Sequence, residues 1–449
     1  MIKKLENTIR KTLPSPFSIA VILTIIIIFL ALLLTDYKLS FVITAWEKGL
    51  WNNALMNFAM QMMLMLVLGY VLALTNFSKK IIEKITPLCN NSANAAFWVS
   101  LSTILVSFFN WGLGLIFGAI LARKVGEYSV QNNLQLNYPL IGAAGYSGLM
   151  VWHGGLSGSI PLKIAEENHL QDIITNPTIL KQIPVSGIDF SQTVFSNMNL
   201  SVSLLLIIII PLILFLLGMR NSKGSKIKFK KTEILKEKTQ AIGAEKIDQS
   251  KIFSKIIGLS IILFAIQKVF NAESLAFINP NFINLLLLGL CLFLHKNFSY
   301  FIKSVNTAIS SASGILIQFP LYFGIMGIMN STGLVDIFAE FFINISNKNT
   351  YPIFTMLSGG LVNIFVPSGG GQWAVQGIIV IQSALELGVS IPKSIMALVY
   401  GDQLTNMLQP FWALPLLGIT QIKAKELLPY TLIIMVIGIV IFTVNLIIF

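Results

Sequence analysis

The chain has 449 residues, 55% of them hydrophobic and only 11% charged, and a mean hydropathy of +0.78. A soluble protein of this length carries charge on about a quarter of its residues, so the composition excludes a soluble globular chain and predicts one polytopic membrane domain over residues 1–449. The formal charge of +12 comes from lysines in loops between apolar runs, a pattern that reports orientation in a membrane and not nucleic-acid binding. Cys89 and Cys291 show no metal-ligand spacing, so neither a disulfide framework nor a metal site follows from them.

In chain order, Lys3, Lys4, Arg10 and Lys11 precede the apolar run Phe17–Leu34. That run is too long for a signal peptide and no small-residue cleavage pattern follows it, so it reads as an uncleaved first span with a cytoplasmic N-terminus. Tyr37–Asn53, with Trp46 and Trp51, reads as an aromatic-anchored interfacial segment on the outer face. Ala54–Thr75 returns inward to a loop carrying Lys79, Lys80 and Lys84. Ile85–Ala122 then has no charged residue and exceeds the roughly 20 residues of one crossing. Its middle, SFFNWGLGLIFG, is rich in breakers, and basic residues flank both ends. This predicts a re-entrant hairpin from the cytoplasmic side, with two short, tightly turned spans as the competing reading. Tyr138–Ala165 predicts a broken helix, interrupted at His153-Gly154-Gly155 and Ser157-Gly158-Ser159 and restarted at Pro161, where a missing N–H costs little. Glu166–Asn199 reads as an outer loop and Leu200–Gly218 as an inward span. The basic stretch 219–255, with Lys223, Lys226, Lys228, Lys230, Lys231, Lys236 and Lys238, reads as a cytoplasmic linker between repeats of about 54–218 and 256–449.

The second half predicts spans at Ile256–Phe270, Phe282–Leu294 and Ile309–Met329, then Gly333–Lys348 near the outer surface. Asn349–Leu385 again carries no charge, and its centre holds Pro367 and Gly369, Gly370 and Gly371, which a continuous helix does not tolerate. It predicts a second hairpin, entering from outside, with its tip at Pro367-Ser368-Gly369. Ser394–Ile422 predicts a second broken helix: a polar run Gly401–Asn406, a break at Gln409-Pro410 and a restart near Pro415. Leu427–Phe449 is the last span.

Hairpin followed by broken helix thus occurs twice, once from each side. Asn110 and Asn363 lie in the two tip regions, and the separations Asn110 to Pro161 and Asn363 to Pro415 are nearly equal. The expected fold is an all-α polytopic membrane protein, an inverted repeat with two opposed re-entrant hairpins and two broken transmembrane helices. Such architectures belong to secondary transporters. No Walker motif supplies an ATP engine, and no HExxH, GxSxG or paired-aspartate motif supports an enzyme.

The stretches VNIFVPSGGGQWAVQG, FFNWGLGLIFGAILAR and GYSGLMVWHGGLSGSIPL resemble the bacterial short-chain fatty acid transporter family, part of the wider ion transporter superfamily. The resemblance spans nearly the whole chain. It implies uptake of small monocarboxylates such as butyrate or acetoacetate together with a cation, in the bacterial inner membrane, whereas the residues alone support a secondary transporter of a small solute. A carrier for dicarboxylates or other small organic anions is the alternative on the same frame.

A site follows from intramembrane polarity. Tip amides and helix N-termini around Asn110, Gly112, Gly114, Pro367, Ser368, Gly369, Gly370 and Gly371 suit a carboxylate without a buried cation. Asn363, His153 and Gly154 join them, and Trp111, Phe365 and Trp373 are expected to flank the alkyl tail. Asp402, with Asn406, Thr405 and Ser107, is expected to couple an ion, a proton or Na⁺, with Asn110, Asn363 and Asp402 as the Na⁺ candidates. No organic cofactor is expected. The expected partners are the carboxylate, membrane lipid and a second copy in a homodimer, with no nucleic acid.

Overall fold

The computed structural model describes residues 14–165, 169–173, 187–220, 243–271 and 280–449. The lysines from Lys223 to Lys238, on which the linker reading rests, lie outside the described residues. The described chain is helical throughout, and six stretches are long and apolar enough to cross a membrane: Phe17–Leu34, Leu39–Leu72, Ser92–Phe109, Asn197–Arg220, Lys251–Phe270 and Ala424–Ile448. Helix starts are set by side-chain caps. The side-chain oxygens of Asn52, Asn91, Asn110, Asn137 and Asn297 each accept the backbone N–H three residues on, which satisfies one of the donors a helix start leaves unpaired.

Both hairpins form. The first has arms Ser92–Phe109 and Trp111–Gln131, separated by Asn110 alone. The second has arms Tyr351–Phe365 and Gly369–Glu386, separated by Val366, Pro367 and Ser368. The first hairpin's arms are long enough to cross, so their length does not tell a re-entrant hairpin from two spans. Contacts at the tip do. The N–H of Trp111 donates to the Ser157 hydroxyl at 2.9 Å, and the N–H of Leu156 donates to the Phe108 carbonyl at 2.8 Å. The tip therefore ends against the interruption of a helix and not at a free surface.

Both broken helices form as well. The first is Tyr138–Tyr146, a 3-10 turn at Ser147–Met150, an irregular stretch and a short helix Ser159–Ile164. The second is Ile391–Thr405, a 3-10 turn at Asn406–Leu408 and a helix Pro410–Thr420.

Four details differ from the sequence reading. The polar run from Gly401 stays helical through Thr405, and the restart begins at Pro410, with Pro415 inside the helix. Proline at the first helical position gives up no hydrogen bond, so the break needs no residues beyond Gln409. Arg123 and Lys124 do not end the first hairpin; its second arm continues to Gln131. Arg123 is buried, ion-paired with Glu127 at 2.7 Å, and donates to the Ile419 carbonyl at 3.2 Å, where a cation meets the carbonyl end of a helix. Lys79, Lys80 and Lys84 lie on a helix, Asn76–Ile85, and not in a loop. The segment read as interfacial is a helix, Leu39–Leu50, whose Gly49 lies against the backbone of Gly327, so it packs on the helix Ser313–Ser331.

Within each half, hairpin and broken helix meet through glycine. A Cβ at Gly401 would strike the Met356 carbonyl and the Gly360 nitrogen on the second hairpin's first arm. A Cβ at Gly118 would strike the Gly145 carbonyl, joining the first hairpin to the first broken helix. Small residues bring helix backbones this close in an apolar medium, where dispersion between close surfaces drives association. Gly118→Val and Gly145→Val should each cost about 2–3 kcal/mol, the upper end for overpacking because the obstacle is backbone. The double variant should lose less than the sum, since both act at one crossing. Thermal unfolding in detergent checks this, and wild-type stability of either single variant would contradict the crossing.

Candidate functional site

The second hairpin and second broken helix share one polar junction. The Asn363 amide nitrogen donates to the Asp402 carbonyl at 2.9 Å, the Thr405 hydroxyl at 3.0 Å and the Asn406 side-chain oxygen at 2.8 Å. Gln409 returns the contact, donating to the carbonyls of Asn363 and Ile364 at 2.8 and 2.9 Å. These are the carbonyls a helix leaves open at its last turn. Tyr146, from the first broken helix, donates to the Asn406 carbonyl at 2.8 Å. Deeper in the second hairpin, Gln372 donates to the Gly359 carbonyl at 2.7 Å and to Gln376, and Gln376 donates to Ser358. Ile19, Leu23, Ile364, Leu408, Pro410, Leu428 and Leu432, with Thr405 and Gln409, line a cavity of about 300 Å³ beside the break.

The first hairpin makes the matching junction with the first broken helix. Asn110 caps the second arm, Trp111 reaches Ser157, and Ser107 sits where a Cβ on Gly114 or on Gly148 would collide with it. The Trp111 ring packs with Trp412 and Trp152, at centroid distances of 5.2 and 5.7 Å. Trp412 follows the break of the second broken helix, so the first tip also reaches that element.

The two halves meet at His153 and Asp402. His153 Nδ1 lies 3.3 Å from Asp402 Oδ1, with side-chain exposures of 0% and 1%. The His153 Nε2 accepts the Ile160 N–H at 3.2 Å. Beside it the Gly154 N–H donates to the Gln403 side-chain oxygen at 3.2 Å, and Asn199 donates to the Gly154 carbonyl at 2.8 Å. The tip of the second hairpin closes this arrangement: a Cβ on Gly369 would lie 2.5 Å from His153 Cε1 and 2.9 Å from Nε2. Ser368 caps the second arm by accepting the Gly371 N–H at 3.2 Å. The N–H groups of Gly369 and Gly370 donate to no group among the described residues, and space at Gly370 is open.

The expected residues therefore divide. His153, Gly154, Gly369, Asp402, Asn406, Thr405 and Asn363 are brought together, with Pro367, Ser368, Gly370 and Gly371 on the adjoining tip. Ser107, Asn110, Gly112 and Gly114 belong to the first tip. The Asn110 side-chain oxygen accepts the Leu113 N–H, and Asn363 turns its nitrogen to the oxygens of Asp402 and Asn406. Trp373 donates its indole N–H to His169 at 2.9 Å, and Phe365 packs near Phe338. The tip glycines are not in the left-handed region, which Gly187, Gly243, Gly333 and Gly388 occupy. Sequence reasoning read Ser157, Gln403 and Gln409 only as parts of the breaks and the polar run, and missed Asn199, Gln372 and Tyr146. All but Tyr146 are polar residues in or beside apolar stretches, which is the signal that singled out Asp402.

Two re-entrant hairpins whose tips end against two broken helices, with polar side chains buried at the junctions, define a polytopic membrane transporter. The chain belongs to the short chain fatty acid transporter family, whose description matches residues 1–449. It is 34% identical to a provisionally named short-chain fatty acid transporter of Escherichia coli (strain K12), over 98% of this chain and 97% of that one. It is 33% identical to one so named in Haemophilus influenzae (strain ATCC 51907 / DSM 11121 / KW20 / Rd), over 94% and 93%. The crystal structure of the Alcanivorax borkumensis YdaH transporter is similar over 96% of this chain and 98% of its own, at a TM-score of 0.46 and 14% identity.

Asn363→Leu keeps the side chain's size and removes the donor from three oxygens, two of them buried. It should cost about 2–4 kcal/mol, because an unmet buried acceptor carries its full desolvation penalty. Thermal unfolding checks the loss; a change within a few tenths of a kcal/mol would mean that the junction does not hold the break.

Proposed function

We propose that the protein is a secondary active transporter that carries small monocarboxylates such as butyrate, with a coupling cation, by alternating access. The observation that carries this reading is the second tip. Gly369 and Gly370 offer unpaired N–H groups at the start of an 18-residue helix, with open space at Gly370. A helix N-terminus attracts a negative charge without a cationic side chain, which suits a singly charged substrate. The family name and the names of the two bacterial relatives support the substrate class. The paired order of hairpin and broken helix supports an inverted repeat, the frame on which alternating access operates. In this reading the chain sits in a bacterial inner membrane with its N-terminus in the cytoplasm.

Gly370 provides a clean test because nothing outside its own helix turn lies within 4 Å of a Cβ placed there. Gly370→Val should fold and insert normally yet lose at least tenfold in butyrate uptake, by blocking approach to the amides. Uptake of labelled butyrate into proteoliposomes, corrected for protein-free vesicles, measures this. Wild-type uptake by the variant would remove the tip from the site, and uptake of labelled succinate that excess butyrate does not inhibit would favour the dicarboxylate reading.

Orientation is tested separately. Single cysteines at the exposed Asn90 and Asn132 bracket the first hairpin, and those at Asn347 and Ser390 bracket the second. The first pair should react with an impermeant thiol reagent only from the cytoplasm and the second only from outside. Labelling of all four from one side would end the inverted-repeat reading.

A further inference from the structure

We propose that Trp111, Trp152 and Trp412 receive the alkyl tail of the substrate and set which chain lengths are carried, with the Trp152 indole N–H as a further donor to the carboxylate; this rests on the secondary-transport reading above. Trp111 opens the second arm of the first hairpin, Trp152 lies in the interruption of the first broken helix, and Trp412 follows the break of the second. Their ring centroids are 5.2, 5.7 and 6.3 Å apart, and all three side chains are buried. The Trp152 ring also stacks on His153 at 4.3 Å, and His153 is the ring against which Gly369 of the second tip lies. All four interrupted elements therefore converge on one aromatic cluster, and that cluster adjoins the tip amides.

Packing alone accounts for the ring contacts but not for a buried donor left over. Trp152 Nε1 has no acceptor among the described residues, and a buried N–H without one carries its full desolvation cost. A carboxylate at the Gly369 and Gly370 amides sits beside the His153 ring, on which Trp152 stacks, and supplies that acceptor. An aromatic ring is positive at its edge and negative on its faces. The cluster thus offers the head group an edge and the tail the faces.

The same arrangement discriminates between substrates. An alkyl tail laid on ring faces leaves water, and each methylene so buried is worth about fourfold in affinity. The second carboxylate of a dicarboxylate would meet those negative faces, so the cluster favours monocarboxylates. Trp111 and Trp412 belong to different halves and their rings pack edge to face, so a tail enters by parting them, and a longer tail must part them further. Trp373 and Phe365, engaged with His169 and Phe338, stand outside this set.

Inhibition of labelled butyrate uptake by unlabelled acetate, butyrate and hexanoate, in proteoliposomes of the full-length protein and corrected for protein-free vesicles, measures the preference. In the wild type, butyrate should inhibit at a concentration about 15-fold below that of acetate, two methylenes at about fourfold each. Trp412→Leu makes room for the tail and should improve hexanoate relative to butyrate by about fivefold or more. Trp152→Phe keeps a stacking ring and removes the N–H; it should weaken all three acids about tenfold and leave their ratios unchanged. Wild-type ratios in Trp412→Leu would reduce the cluster to packing and overturn the tail site, and wild-type constants in Trp152→Phe would remove its N–H from the head site. With Gly370→Val inactive, either result leaves the transport reading standing. Where Trp412→Leu does not insert, Trp412→Phe tests the same ratio in the same direction. Absence of uptake of any carboxylate by the wild type ends the transport reading and the tail site with it.

Discussion

A helix that stops inside an apolar bundle leaves N–H and C=O groups that neither lipid nor water satisfies, and the centre of this protein is built around that demand. Several of these groups are met by side chains from another element. Asn363 and Gln409 exchange hydrogen bonds between the second hairpin and the second break. Ser157 accepts the Trp111 N–H at the first tip, and Asn199 closes the Gly154 carbonyl at the first break. Because these partners lie on different elements, satisfying the backbone also fixes how the elements sit against each other.

What remains unsatisfied is therefore informative. Asp402 Oδ2, His153 Nδ1, Asn363 Oδ1 and Ser107 Oγ are buried without a hydrogen-bond partner among the described residues, and the N–H groups of Gly369 and Gly370 donate to none. Asp402 and His153 are also close only because the two halves are docked, so the pair is sensitive to relative movement of the halves in a way the Asn363 junction, internal to one half, is not.

Packing by glycine serves the same end. Gly401 against Met356 and Gly118 against Gly145 hold hairpin and broken helix at backbone contact within each half. Arg123 shows charge used structurally: it is buried, paired with Glu127, and turned to the last carbonyls of the helix Pro410–Thr420. Its position beside Lys124 reads in one dimension as a loop marker, and only the length of the arm that carries it reveals the other role.

The element order was legible because it depends on quantities that are local in the chain. Uncharged stretches too long for one crossing, proline and glycine at their centres, and polar residues inside apolar runs all follow from backbone and solvation costs that each residue carries wherever it lies. Asp402, His153, Asn363 and the two tips were accordingly singled out by the sequence, together with membership of a family to which the whole chain belongs. The pairing of His153 with Asp402, the seat of Gly369 on that ring, and the contact between Gln403 and Gly154 were decided only in three dimensions. Each joins residues some 200 or more positions apart, and no local periodicity says which break a given tip will meet. The docking of the two halves makes that choice, since it alone determines which unmet polar groups come within hydrogen-bonding distance of each other.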